Sequence, residues 1–413
     1  MREKTGVIPR RNLMRSRRAT AVAALLALGA ALAVVAGAFA TPDRAAAPAA
    51  QSGSGAALVK CGKTRTIGFM APVTGPAASI GIQQVHWAQY YVSTYNKTHK
   101  KTKMKLQTED TQLGAPTGTA EALKGAQALA GSPNVLGVVG PAGSNEIVGV
   151  TKSLKDGGLA WVSGSSTRTS LTTDGTRTGY MFRTVPPDAI QGPTAANYII
   201  KVLKYTRVYI IDDQETYSTG LADEVQSRLR AAGATVSRDG VSQQQSDFSS
   251  LIAKISRDTQ IVYIPWQLPP KGQAFGNQMK AAGKGTIRLM GADGLYDSSF
   301  ASVGAHVYDT NFPLNPKSKI IAGFKKGHGG DGEYFGAPTY AATQVVANAI
   351  DRACKNGTAT RAEVRAAIRS TRIPAVQSVI GVALRFNRNG DLSTATKFGL
   401  YKSNGNVFVP IPG

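Results

Sequence analysis

The hydrophobic and polar positions of this chain fall into two rhythms that alternate along most of its length. Short runs rich in β-branched residues read as strands: Thr66–Met70, Met104–Thr108, Val135–Val139 and Leu159–Val162. Between them lie longer stretches at helical spacing. Val85, Ala88, Val92 and Tyr95 recur on one face and stop at Asn96, an Ala-rich helix is predicted near Thr117–Ala130, and another begins around Ser144 after the turn Gly140-Pro141-Ala142-Gly143. The order restarts after Phe182-Arg183-Thr184. There the pattern predicts helix near Ala189–Leu203, strand Val208–Ile211, helix Gly220–Ala232, strand Ile261–Ile264, helix Gln273–Ala282 and strand Ile287–Met290. Two further helical patterns, Pro338–Asn356 and Arg361–Ser370, precede β-like segments at the C-terminus. This alternation predicts an α/β architecture of parallel sheets flanked by helices, in two successive units with a shared C-terminal part; a single oversized sheet is the alternative. Ligands of such open sheets bind beyond the carboxyl ends of the strands, so function is to be sought in the loops that follow each strand.

The first 60 residues follow neither rhythm. Arg10, Arg11, Arg15, Arg17 and Arg18 precede an uncharged stretch, Ala19 to Ala40, that ends in the small-x-small sequence Ala38-Phe39-Ala40. A basic start, an apolar middle and this ending read as a secretory signal over 1–40. At 22 residues the apolar stretch is also long enough to cross a bilayer, so an uncleaved anchor is the alternative. Both readings put the body outside the cytoplasm, in a periplasm or at the outer face of the membrane or cell wall. Residues 41–60, mostly Ala, Ser, Gly and Pro, read as a flexible tether. Lys60 directly before Cys61 argues against lipidation there. In an oxidising compartment Cys61 and Cys354 are candidates for a disulfide, with two free thiols as the alternative.

Composition narrows the function classes. With 413 residues, 42% of them hydrophobic and only 18% charged, the chain has material for more than one domain and is not predominantly disordered. Two cysteines exclude a disulfide-framework scaffold, a Cys-rich zinc fold and a cysteine-ligated iron–sulfur protein. The net charge of +23 includes +6 on residues 1–18, which leaves +17 on the rest. The basic run Lys97 to Lys105 has neither aromatic interleaving nor a recognised module around it. It reads as a solvated loop, and no nucleic-acid partner is expected. A body this basic does predict salt-sensitive association with an anionic cell envelope. Catalysis finds little support. His86, His99, His306 and His328 are not in metal-ligand spacing, no Gly-x-Ser-x-Gly elbow or dinucleotide fingerprint occurs, and Gly62-Lys63-Thr64 lacks the upstream glycine of a phosphate loop. Glu109-Asp110 and Asp212-Asp213 read as caps or solvated turns. No enzyme, metal or cofactor is expected.

Three segments together resemble the leucine/isoleucine/valine-binding protein family, the type I periplasmic binding proteins of branched-chain amino-acid ABC transporters. The first runs from Ile67-Gly68-Phe69-Met70-Ala71-Pro72 through Gly75-Pro76 to Asn96. The second is Val138-Val139-Gly140-Pro141-Ala142-Gly143-Ser144 with Ser163-Gly164-Ser165-Ser166-Thr167. The third is Phe182-Arg183-Thr184-Val185-Pro186-Pro187-Asp188, leading to Tyr217 and to Gly291-Ala292-Asp293-Gly294. The resemblance implies two lobes joined by a three-crossover hinge, with lobe I over about 62–183 plus 313–393 and lobe II over about 184–312 plus 394–413. It implies a monomer that captures a small solute, expected to be an amino acid of the branched-chain type, and hands it to ABC permease subunits. An extracytoplasmic ligand sensor of the same fold, or a binder of an amide or aromatic acid, is the alternative. Ser144, Ser165 and Thr167 would hold the α-carboxylate through neutral donors, and Tyr217 and Asp293 the α-ammonium. Ile80, Trp266 and Gln267 would border the side-chain pocket. The sequence departs from the family pattern at Ile80, at Trp87, which stands for a glycine, and at Ala341, which stands for an Asp. Pro265, Pro269 and Pro270 are expected to stiffen the loop after strand 261–264.

Overall fold

In the computed structural model the described residues are 58–412, apart from 115, 117, 329–332 and 395. The expected signal and all of the tether up to residue 57 lie outside them. The tether ends earlier than its composition suggests. Val59–Lys60 pairs antiparallel with Thr358–Ala359, because backbone pairing makes no demand on apolar side chains. Cys61 and Cys354 are joined by a disulfide across 293 positions of sequence, which fastens this short ribbon to the end of the helix Gly336–Ala353.

Two sheets organise the remainder. The first has five strands in the order Lys103–Asp110, Thr64–Ala71, Val135–Val139, Trp161–Ser163 and Met181–Arg183, all parallel. The second has seven, in the order Phe408–Pro410, Gly399–Ser403, Val307–Asn311, Arg288–Met290, Ile261–Tyr263, Arg207–Asp212 and Thr235–Gly240. Its last five strands are parallel and its first two antiparallel. Helices cover the sheets, as parallel strands buried on both faces require. The fold is therefore α/β with two lobes. The chain passes between them after Arg183, after Asn311 and again before Gly399, which makes three crossovers.

The largest apolar cluster belongs to lobe I, where Gly336–Ala353 and the helix Ala78–Thr98 pack against the sheet and against each other. Two of the sequence departures are explained there. Trp87 is fully buried, its ring stacked on Phe324 at 4.1 Å between centroids. The facing residue is Gly336, where a Cβ would fall 1.8 Å from the indole Cδ1. The bulk gained at one position is thus matched by the absence of a side chain opposite. Gly336→Ala is expected to destabilise the fold by about 1–3 kcal/mol through overpacking. Trp87→Leu in the same chain should recover part of that loss, as read from denaturant midpoints. Ala341 is fully buried in the same cluster, where an unpaired carboxylate would be costly.

Some local expectations give way. Pro269 and Pro270 do not stiffen a loop: they open the helix Pro269–Ala281, whose first turn has no backbone donors to lose. The helix predicted from Gly220 begins at Thr216.

Candidate functional site

Each lobe brings a loop to the same place. In lobe I the strand Val135–Val139 ends at Gly140, which adopts φ +96° and passes so close to the neighbouring strand Thr64–Ala71 that a Cβ would meet the Met70 carbonyl oxygen at 2.1 Å. The turn delivers Ser144 as the first residue of the helix Ser144–Asp156. The first backbone N–H groups of a helix have no partner within it, so this end favours an anion. The buried Glu146 reaches back to the Gly143 N–H at 2.7 Å. Burial pushes its carboxyl up to about 7, which limits the negative charge it brings. The Ser144 hydroxyl accepts from the Arg168 N–H at 3.3 Å and donates to no acceptor among the described residues, so its proton is available. Ser165 is differently placed. Its hydroxyl donates to the Ala142 carbonyl and accepts from Gln84 Nε2, both at 2.8 Å. It can grip an anion only by giving up the first bond.

In lobe II the loop after Arg288–Met290 carries Asp293. Its Oδ1 accepts from the Tyr217 hydroxyl at 2.7 Å and from Gln191 Nε2 at 2.7 Å. No side chain among the described residues donates to Oδ2. Burial raises the Asp293 pKa to about 6, and Tyr217, Gln191 and its own backbone N–H, all neutral donors, oppose the rise. Asp188 is pushed to about 8 by burial, with Asp293 adding to the push. Asp309 is held well above the carboxylate range by burial and again by Asp293. Among these three neighbouring acids, then, Asp293 ionises first.

The two loops face each other across one narrow cleft cavity. Ser144, Ser165, Tyr217, Asp293, Ile80 and Gln267 all line it. Leu113 and Phe335 supply the rest of its apolar wall, and Ser166 adds a hydroxyl whose bonds run to Ala142 and Pro141 carbonyls. No Lys or Arg is in the lining. Two expected residues stand outside. Thr167 is fully buried next to Asp188, behind the loop that presents Ser165. Trp266 turns into the lobe II core, where its Nε1 donates to the Ile211 carbonyl at 2.8 Å; alternation along the segment sends Gln267, not Trp266, toward the cavity.

Three supporting residues escaped the sequence reading. Gln84 and Gln191 are buried polar residues that position Ser165 and Asp293, and Gln84 interrupts an otherwise apolar helical face, which is a readable signal. Arg183 is fully buried at the first crossover and binds Asp391 at 2.6 Å, the Thr167 and Arg168 carbonyls at 2.8 and 2.9 Å, and the Thr172 hydroxyl at 2.8 Å.

Residues 64–406 match the profile of the family described as periplasmic binding protein. The chain belongs to the periplasmic binding protein family. Like other members, this binding protein has relatives of known name along nearly its whole body. The Leu/Ile/Val-binding protein BraC3 of Rhizobium johnstonii is 31% identical over 82% of this chain and 91% of its own. Among solved structures, the leucine-binding protein LivK of Thermotoga maritima superposes with a TM-score of 0.74 at 20% identity, covering 84% of this chain and 98% of that one. The branched-chain amino-acid binding protein LivJ of Streptococcus pneumoniae, solved with isoleucine, superposes with a TM-score of 0.70 at 20% identity, covering 84% and 100%. The resemblance read from the sequence holds, and so does the two-lobed fold it implies.

Proposed function

We propose that this binding protein captures a small zwitterion, an amino acid with a compact apolar side chain, and delivers it to an ABC permease. One observation carries the reading: Asp293 is a buried carboxylate held only by neutral donors, in a cavity whose lining contains no cation. A buried charge in that position lacks a counterion, and a ligand ammonium supplies one. The helix end at Ser144 answers the α-carboxylate from the opposite lobe, so the ligand bridges both lobes and stabilises their closure. Ile80, Leu113 and Phe335 offer an apolar wall that suits an aliphatic group and not a charged one. The mechanism is capture, closure and release, with no covalent step. The names of the relatives support the ligand class.

The export signal read from residues 1–40 supports an extracytoplasmic setting for this activity. Lys60, Lys63, Lys100, Lys101 and Lys105 are exposed near one end of the lobe I sheet, where Thr64 pairs with Lys103, and this basic edge suits an anionic envelope surface. Calorimetric titration of the purified protein with leucine, isoleucine, valine, their amides and benzoate tests the ligand class. Leucine-like amino acids should bind, and Ser144→Ala should weaken them about tenfold, the loss of one hydrogen bond to a charged group. An amide or benzoate binding more tightly than every amino acid would overturn the zwitterion reading.

A further inference from the structure

We propose that the hinge carries a second ligand site, for a small apolar molecule with one anionic head, and that filling it favours the closed cleft. Beside the crossovers lies a concavity open to solvent and roomier than the cleft cavity. Every crossover contributes to its wall: Val185 from the first, Phe312 and Pro313 from the second, Lys397 from the third. Ile380 and Val382 close it from lobe I. An apolar concavity between domains with one or two polar groups is the usual form of a small-molecule site. The Thr184 hydroxyl on this wall is already committed to the Pro338 carbonyl at 2.8 Å. Lys397 is different. It is exposed, it enters none of the ion pairs among the described residues, and it is the one charged side chain in the lining. An anionic head at the mouth with an apolar body inside satisfies both features; an amine would be repelled.

The two cavities share a wall. Phe312 lines the hinge cavity and packs edge-on against Phe335, at 5.7 Å between centroids, and Phe335 lines the cleft. Phe398, at the end of the third crossover, packs on Phe312 at 5.4 Å. All three belong to one apolar cluster with Ile80 and Leu113 of the cleft. The lobes are together here, since Arg168 Nη1 donates to Thr219 Oγ1 at 3.1 Å and the Thr169 hydroxyl to Glu224 Oε1 at 2.9 Å. The hinge cavity therefore has its present shape with the lobes together, and its walls are the segments whose torsions change when they part. A molecule that fits this shape stabilises that arrangement. By reciprocity, it and the cleft ligand raise each other's affinity by the same factor.

Octanoate, with octylamine as its charge-reversed counterpart, tests the proposal by calorimetry on the purified full chain. Octanoate should bind and octylamine should bind at least tenfold more weakly. Ile380→Trp, which fills the cavity, should abolish octanoate binding and still allow leucine to bind. Lys397→Gln, at an exposed position, should weaken octanoate about fivefold or more and keeps the test readable should the Trp variant fail to fold. Saturating octanoate should tighten leucine binding at least about fivefold, the lower end of ordinary coupling between sites. Octanoate binding unaffected by both substitutions, octylamine binding as tightly, or octanoate displacing leucine would each overturn the site. Octanoate bound with leucine affinity unchanged would overturn the coupling. The coupling rests on the amino-acid reading of the cleft, but the site does not: if no amino acid binds, that reading falls while the octanoate measurements still decide the cavity.

Discussion

Asn in place of Asp293 is expected to lower amino-acid affinity at least a hundredfold while leaving the fold no less stable. The loss corresponds to about 2.7 kcal/mol, within the range for one hydrogen bond to a charged group together with its ion-pair component. Stability is expected to hold because Asn keeps an acceptor for Tyr217 and Gln191 and removes a buried charge. The same site sets a pH dependence. Its pKa stands near 6 against an ordinary 3.8, so ionising it costs the ligand-free protein stability as pH rises from about 4 to about 6. Ligand binding runs the other way. The ammonium requires the carboxylate, so affinity should fall about tenfold per pH unit below about 6, and binding near pH 6 should release a proton. The groups facing Asp293 are Tyr217, Gln191, Asp188, Asp309 and Tyr263, with Arg183 next to Asp188; the two other acids stay protonated through this window. Calorimetry in buffers of different ionisation enthalpy reads the proton directly. Unchanged affinity in Asp293→Asn would remove the ammonium site from lobe II.

Arg183→Met should cost about 3–5 kcal/mol of stability, the range for leaving one partner of a buried ion pair alone. It should also abolish measurable leucine binding. The guanidinium is fully buried and collects carbonyls from Thr167 and Arg168, the Thr172 hydroxyl and the Asp391 carboxylate. It therefore fixes the loop that carries Ser165 and Ser166 and ties the first crossover to the start of the third. Arg183→Lys should not rescue either property, because an ammonium cannot reach four acceptors in the plane of the guanidinium fork. Denaturant midpoints and leucine titrations on both variants check this. A loss under about 1 kcal/mol would show that the loop is held by other contacts.

What the sequence disclosed depended on how far each residue obeyed a period. Val135–Val139, five buried apolar residues, was found to the residue. The edge strand Thr235–Gly240 was missed because Ser237, Arg238 and Asp239 face solvent or partly so, and nothing apolar alternates through them. Val307–Asn311 was missed for the opposite reason: it is fully buried yet ends in Asp309, Thr310 and Asn311, polar residues that composition assigns to the surface. The site shows the same division. Ser144 and Asp293 were legible because they follow strands and turns in a resemblance-bearing order, and the structure places both on one cavity. The direction of Trp266, and the burial of Thr167 behind its own loop, depend on how the lobe cores pack, which no local spacing encodes.

The join between Cys61 and Cys354 decides where the body feels a pull. Tension arriving from upstream of Leu58 can part only the two paired positions Val59 and Lys60 before it meets Cys61. From there the force goes through a covalent bond to the end of Gly336–Ala353, the helix embedded in the largest apolar cluster, instead of peeling Thr64–Ala71 from its sheet. Were the segment before Leu58 held at a surface, lobe I would be the moored half. Lobe II, joined to it covalently by the crossovers alone, would then be free to swing while the other half takes the strain.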